Sequence, residues 1–135
     1  MKLLVIGSGM MGSAAAFDMA RNAQVDSVTL ADSDAKRSRE VAARVNRITS
    51  GKKVRAVLLD ASNEKAAAKV MRGHDATLSA VPYFLNLGLA RAALEARCHF
   101  ADLGGNNTVV RQELADAKNR ESIAVRVSAK EQSAV

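Results

Sequence analysis

Met1-Lys2-Leu3-Leu4-Val5-Ile6-Gly7-Ser8-Gly9-Met10-Met11-Gly12 opens the chain, and its reading decides the fold. Leu3 to Ile6 is a continuous apolar run, the pattern of a parallel strand covered on both faces. Three glycines then interrupt it, and Met10 to Asn22 reads as a helix whose Ala14, Ala15 and Ala16 allow close approach to a sheet. A strand, a glycine-rich turn and a helix in direct succession form the context in which G-x-G-x-x-G is informative. Gly7 permits the tight turn, Gly9 lets a pyrophosphate approach the backbone, and Gly12 lets helix and strand pack closely. Around Ser8, the N–H groups of Met10 and Met11 face the phosphates, assisted by the positive end of the helix dipole.

Beyond this turn, short β-type runs alternate with helical patterns, the signature of βαβ units around a parallel sheet. Ser27 to Ala31 is a second strand, and 35–48 a helix entered through Asp32-Ser33-Asp34, which offers good capping chemistry. Val54 to Leu59 is a third strand, followed by a helix opened at Ser62-Asn63-Glu64 and closed by Gly73. Ala76 to Val81 is a fourth strand, halted by the chain's one proline, Pro82. Leu85 to Ala96 and Thr108 to Arg120 are helices around a fifth strand at 98–101, and 123–125 is a short last strand. The expectation is a single α/β domain over residues 1–125, a Rossmann-type doubly wound parallel sheet of order 3-2-1-4-5-6, with an irregular tail at 126–135.

Composition agrees. The 135 residues are 48% hydrophobic and 25% charged, a globular balance, while aromatics at 3% leave a core of aliphatic residues and alanine. Cys98 is the only cysteine, so a disulfide framework or thiolate zinc cluster is excluded and a cytoplasmic setting is the default. No apolar run reaches the roughly 18 to 20 residues of a membrane helix. Met1 to Ile6 begins like a signal peptide, but the glycines end the run and no small-residue cleavage pattern follows. The net charge of +6 gathers in Lys36, Arg37, Arg39, Arg44, Arg47, Lys52, Lys53 and Arg55. This stretch reads either as a solvated helix face or as an attractor of an anionic ligand or partner. The scarcity of stacking aromatics argues against nucleic acid.

Asp32 closes the second strand, twenty residues after Gly12. A carboxylate there accepts hydrogen bonds from the adenosine ribose and repels a 2′-phosphate, which favours NAD over NADP; helix capping is its other reading. Lys36 and Arg37 keep NADP open, because a cation in the next turn suits a 2′-phosphate. Asp60-Ala61 ends the third strand, where it borders the adenine or helps cap the next helix. Ala80-Val81-Pro82 ends the fourth, across the switch point from the first, and its backbone lines the nicotinamide half. Asp102 with Gly104-Gly105-Asn106 ends the fifth, either as a structural loop or near a substrate. His74 reads as surface loop, and Cys98 and His99 as packing residues. No metal site and no catalytic residue emerges.

Val5-Ile6-Gly7-Ser8-Gly9-Met10-Met11-Gly12, Thr29-Leu30-Ala31-Asp32, Leu59-Asp60-Ala61-Ser62, Ser79-Ala80-Val81-Pro82-Tyr83-Phe84-Leu85-Asn86 and His99-Phe100-Ala101-Asp102-Leu103-Gly104-Gly105-Asn106 together resemble the saccharopine dehydrogenase family, particularly its lysine 6-dehydrogenase-like branch. The Val-Pro-Tyr and Asp-Leu-Gly-Gly-Asn segments are the specific part of the resemblance. It implies an NAD(P)-dependent oxidoreductase acting at amino-acid C–N bonds, usually a homo-oligomer, with Asp32 on the ribose, Asp60 at the adenine edge and Val81-Pro82 on the nicotinamide side. Family members continue with a Pro-Asp-Cys-Gly-Leu-Ala-Pro-Gly type segment and a substrate and oligomerisation domain, whereas Ile123-Ala124-Val125 here leads into Arg126-Val127-Ser128-Ala129-Lys130. The expectation is a truncated cofactor domain, inactive alone, that meets an amino-acid substrate only if a second domain or chain is supplied. The alternative is a stand-alone nucleotide-binding or partner-binding module.

Overall fold

The computed structural model describes residues 1–120 and the backbone of 125–126. In chain order the elements are β1 (Lys2–Ile6), α1 (Met10–Arg21), β2 (Ser27–Asp32), α2 (Ala35–Ile48), β3 (Val54–Leu58), α3 (Glu64–Met71), β4 (Ala76–Ser79), a 3-10 turn (Tyr83–Leu85), α4 (Asn86–Ala96), β5 (His99–Asp102), α5 (Asn107–Arg120) and β6 (Val125–Arg126). The strands form one parallel sheet of order β3-β2-β1-β4-β5-β6, the order expected from the sequence.

The sheet separates two cores because its strands alternate faces. Leu4, Ile6, Ala31 and Phe100 face α3 and α4, where they meet Ala67, Met71, Leu89 and Ala93. Val5, Val28, Leu30 and Val54 face α1 and α2, where they meet Ala16, Ala20, Val41 and Val45. Alanines at the helix contacts bring the backbones close to the sheet. The bulk comes from aliphatic strand residues, each contributing about 1.5 to 3 kcal/mol when fully buried. In register, Ile6 lies beside Ala31 on one side and Ser79 on the other, so β1, β2 and β4 end together.

Some boundaries differ from the sequence reading. β4 stops at Ser79 rather than Val81. Ala80 N still donates to Ile6 O at 2.8 Å, but Pro82, which has no N–H, turns the chain into the 3-10 turn. Ser79 Oγ donates to Asn86 Oδ1 at 2.7 Å, pinning the start of α4 under the strand end. α4 then closes on Arg97 in the left-handed region (φ 55°). β5 runs one residue later than expected. Arg126, expected in the tail, pairs in β6 with Ala101, while Ile123 and Ala124 of the expected last strand and residues 127–135 lie outside the described residues. Among the described residues no helix is long and apolar enough to cross a membrane.

Candidate functional site

At the ends of β1, β2, β3 and β4 the chain turns four times, and the turns enclose a cleft of about 270 Å³. Gly7 forms its floor. Its φ of 101° lies in the region that favours glycine, and a Cβ there would stand 2.7 Å from Ala80 O. Gly12 is under the tighter constraint, because a Cβ on it would fall 1.7 Å from Gly7 O. Gly9 is the opposite case, since a Cβ on it would meet nothing within 4 Å. Gly9 also begins α1 without a side-chain cap, so the first N–H groups of the helix are left for an external acceptor. One glycine thus borders open space while its neighbours are locked by backbone contact, which is the cradle a pyrophosphate requires.

Asp32 stands behind this turn with its side chain only 4% exposed. Its Oδ2 accepts from Ser8 N and Ser8 Oγ, both at 2.6 Å, and its Oδ1 accepts from Asp34 N at 2.8 Å. Arg37 completes the set, with Nη2 at 2.9 and 3.1 Å from the two carboxylate oxygens and Nε donating to Ser8 Oγ at 3.2 Å. Burial alone would raise the Asp32 pKa, but the donors from Ser8, Asp34 and Arg37 outweigh it and hold the carboxyl at about 2. The same contact raises the Arg37 pKa. The cap of α2 is Asp34, which accepts from Arg37 N at 2.9 Å, so Asp32 is not needed for that role.

The remaining sequence-derived positions divide clearly. Gly7, Gly9, Asp32, Asp60, Ala61, Ala80, Val81 and Pro82 line the cleft together, joined by Ile6, Ser33, Arg37, Leu59, Ser62 and Leu85. Ser8 and Gly12 are buried behind its wall, and the side chains of Met10 and Met11 are exposed outside it. Asp60 accepts from Ser62 Oγ at 2.6 Å and Ser62 N at 2.9 Å, which lowers its pKa, while Asn63 caps α3 through Ala66 N. Lys36 does not line the cleft, and most of the basic stretch is solvated. Among the described residues no cluster of metal-ligating side chains occurs.

Three features escaped the sequence reading. His74 is half-buried rather than a surface residue. Its Nδ1 lies 2.9 Å from Val70 O and its Nε2 2.8 Å from Thr29 Oγ1, and burial lowers its pKa. It borders a groove of about 780 Å³ along β2 and β3, which adjoins the cleft at Ser33, Leu59 and Asp60. Glu113 of α5 is 0% exposed beside Asp102. Burial and then the Asp102 charge push its pKa up to about 8, so at neutral pH it carries a proton and donates to Asp102. Asp102 also accepts from Gly104 N at 2.5 Å and is therefore turned inward. Finally, His99 is exposed although Cys98 packs inside, because adjacent strand residues face opposite sides.

A family model described as the saccharopine dehydrogenase NADP binding domain matches residues 3–134. The chain belongs to the saccharopine dehydrogenase family. Among solved structures, saccharopine dehydrogenase (L-Glu forming) from Saccharomyces cerevisiae is similar at TM-score 0.74 and 19% identity, over 95% of this chain and 27% of that one. UDP-glucose-4-epimerase from Stenotrophomonas maltophila, with bound NAD, matches at TM-score 0.74 and 20% identity, over 94% of this chain and 52% of that one. Quinate dehydrogenase from Corynebacterium glutamicum in complex with NAD matches at 0.67 and 17%, over 92% and 43%. At these identities the structures establish the fold alone. The chain of the saccharopine dehydrogenase family described here spans about a quarter to a half of their lengths.

Proposed function

We propose that the cleft holds NAD and that the chain is the cofactor-binding part of an oxidoreductase acting at the C–N bond of an amino acid, of the lysine 6-dehydrogenase-like kind. The observation that carries the reading is the contrast within the glycine turn: open space above Gly9 beside an uncapped helix, with Gly7 and Gly12 fixed by backbone contact. The pyrophosphate would lie on Gly9 and the first turn of α1, the adenosine toward Asp32 and Asp60, and the nicotinamide beside Ala80, Val81 and Pro82. Asp32 stays ionised throughout the physiological range and so favours a ribose diol over a 2′-phosphate. When bound, the nicotinamide supplies hydride transfer, and the protein contributes orientation and a dry environment.

Among the described residues, the wall beside Val81 and Pro82 offers no acid or base aimed at a substrate amine, since Asp102 is directed to Gly104 and Glu113. Amine recognition therefore falls to groups beyond those lining the cleft, supplied by another domain or chain. The test is calorimetric titration with NAD, NADP and their reduced forms. Binding with NAD tighter than NADP supports the reading, and a folded chain that binds neither nucleotide refutes it. Lysine- or saccharopine-dependent NADH formation by this chain alone should be negligible, and brisk turnover would place the amine-recognition groups within it.

A further inference from the structure

We propose that the groove along β2 and β3 is a second binding site, for a small aliphatic carboxylate whose head pairs with Arg55 beside Lys69. The site is separate from the dinucleotide cleft. Groove and cleft share Ser33, Leu59 and Asp60, at the C-terminal end of β3. Arg55 lies near the opposite end of that strand, roughly 13 Å back from Leu59 at the rise of an extended chain. A network across three elements builds this far end. Thr29 of β2 is fully buried, and its Oγ1 lies 3.1 Å from Arg55 Nε and 2.8 Å from His74 Nε2. A carbonyl only accepts, so His74 Nδ1 carries a proton and donates to Val70 O at 2.9 Å. Burial lowers the His74 pKa, so at neutral pH Nε2 accepts the Thr29 proton and Oγ1 accepts from Arg55. The guanidinium is thus held by Nε alone, and Nη1 and Nη2 make no hydrogen bond among the described residues. Lys69 Nζ makes none there either, whereas Arg72 is paired with Glu95, and Asp60, the one acid on the lining, with Ser62.

Beside these cations the walls are aliphatic, formed by Val57, Leu58, Ala66 and Val70, with Leu58 66% exposed. The volume of about 780 Å³ falls in the range of small-ligand sites, and so does the make-up of apolar walls with a few convergent polar groups. An inorganic anion would leave the aliphatic wall wet, and a neutral hydrocarbon would leave the guanidinium fork unused. Head and chain are therefore needed together. A peptide strand added to the sheet edge would need the outward N–H and C=O groups of β3. Those of Val54 are already taken by Asn46, through Oδ1 at 2.9 Å and Nδ2 at 2.7 Å. A second copy of the chain would set like cations against each other.

The experiment is calorimetric titration of the full chain with octanoate, 1-octanol and inorganic phosphate. Wild type, Arg55→Ala and Arg37→Ala are compared, with circular dichroism as a folding control. Octanoate should bind saturably, one per chain, with Kd below about 1 mM, and 1-octanol and phosphate about tenfold more weakly or worse. Arg55→Ala should weaken octanoate about tenfold, the loss typical of one charge-assisted contact. Arg37→Ala alters the cleft and not the groove, so it should bind octanoate as the wild type does. The proposal is overturned if octanoate shows no saturable binding below about 1 mM, or if 1-octanol or phosphate binds as tightly. Both comparisons use the wild type and hold even if a variant does not fold. A loss of less than about threefold in folded Arg55→Ala also overturns it, and so does a matching loss in Arg37→Ala, which would place the carboxylate in the cleft. No dinucleotide enters the titration, so the outcome is independent of what the cleft holds.

Discussion

Replacing Glu113 with glutamine should remove a pH dependence that one buried proton imposes on the whole domain. Glu113 is fully enclosed, and among the described residues neither of its carboxyl oxygens has a donor, so ionising it next to Asp102 is costly. Its folded pKa of about 8 stands above the ordinary 4.5. Below the lower value both folded and unfolded chains hold the proton, and Glu113 adds no pH dependence. Between the two values only the folded chain holds it, so stability falls as pH rises. Above the higher value the proton is gone from both and the loss is complete. The slope inside the window is about 1.4 kcal/mol per pH unit for one proton. Over the window from 4.5 to about 8 the total is about 5 kcal/mol, a large share of a typical domain's 5 to 15. Glutamine donates to Asp102 at every pH, so the variant should be less pH-sensitive and more stable than wild type at about pH 8.5, by up to about 5 kcal/mol. Urea unfolding followed by circular dichroism at about pH 5.5, 7 and 8.5 reads this directly, and the wild-type-minus-variant difference cancels other titrations. A wild-type-minus-variant difference that stays flat across those pH values would refute the reasoning.

Other outcomes follow from single sites. Gly12→Ala forces a methyl onto Gly7 O and should cost about 3 kcal/mol or more, whereas Gly9→Ala should leave the unfolding midpoint unchanged yet weaken NAD binding at least about tenfold; equal stability losses would contradict the assigned geometry. Asn63→Ala removes the cap of α3 and should cost about 1 kcal/mol in denaturant unfolding, with Asn63→Asp close to wild type. His74 has a folded pKa below its unfolded value, so its protonation should destabilise the chain as pH drops below about 6.5. His74→Gln should flatten that acid limb of the stability curve, and an unchanged limb would show that the imidazole is not the titrating group.

The strand order and the glycine turn were legible because their signals are local. Leu3 to Ile6, the glycines that follow and the length of each helical stretch leave few ways to wind a parallel sheet. The grouping of Asp32, Asp60 and Val81-Pro82 then follows from topology, because all close neighbouring strands at the same edge. Features that depend on contacts distant in sequence were hidden. Arg37 could be placed near Asp32, but its hold on Ser8 depends on how the first and second βα turns meet across 29 residues. Thr29 and His74 are separated by 45 residues. Glu113 resembles any solvated helix glutamate until α5 is docked, and only its place three residues after the buried Val110 hints otherwise. The boundary shift at β4 arises where Pro82, which has no N–H, ends the ladder and turns the chain.

Tyr83 stands at the junction of the turns after β4 and β5. A Cβ on Gly105 would lie 2.9 Å from its Cβ, and its ring meets Phe84 edge-on at 5.9 Å between centroids. The chain contains no tryptophan and no other tyrosine. All of its tyrosine emission, which excitation beyond the phenylalanine band isolates, therefore originates at one spot, next to Pro82 of the cleft. The fold supplies its own site-specific fluorophore, and any event that separates these two turns can be followed optically without attaching a label.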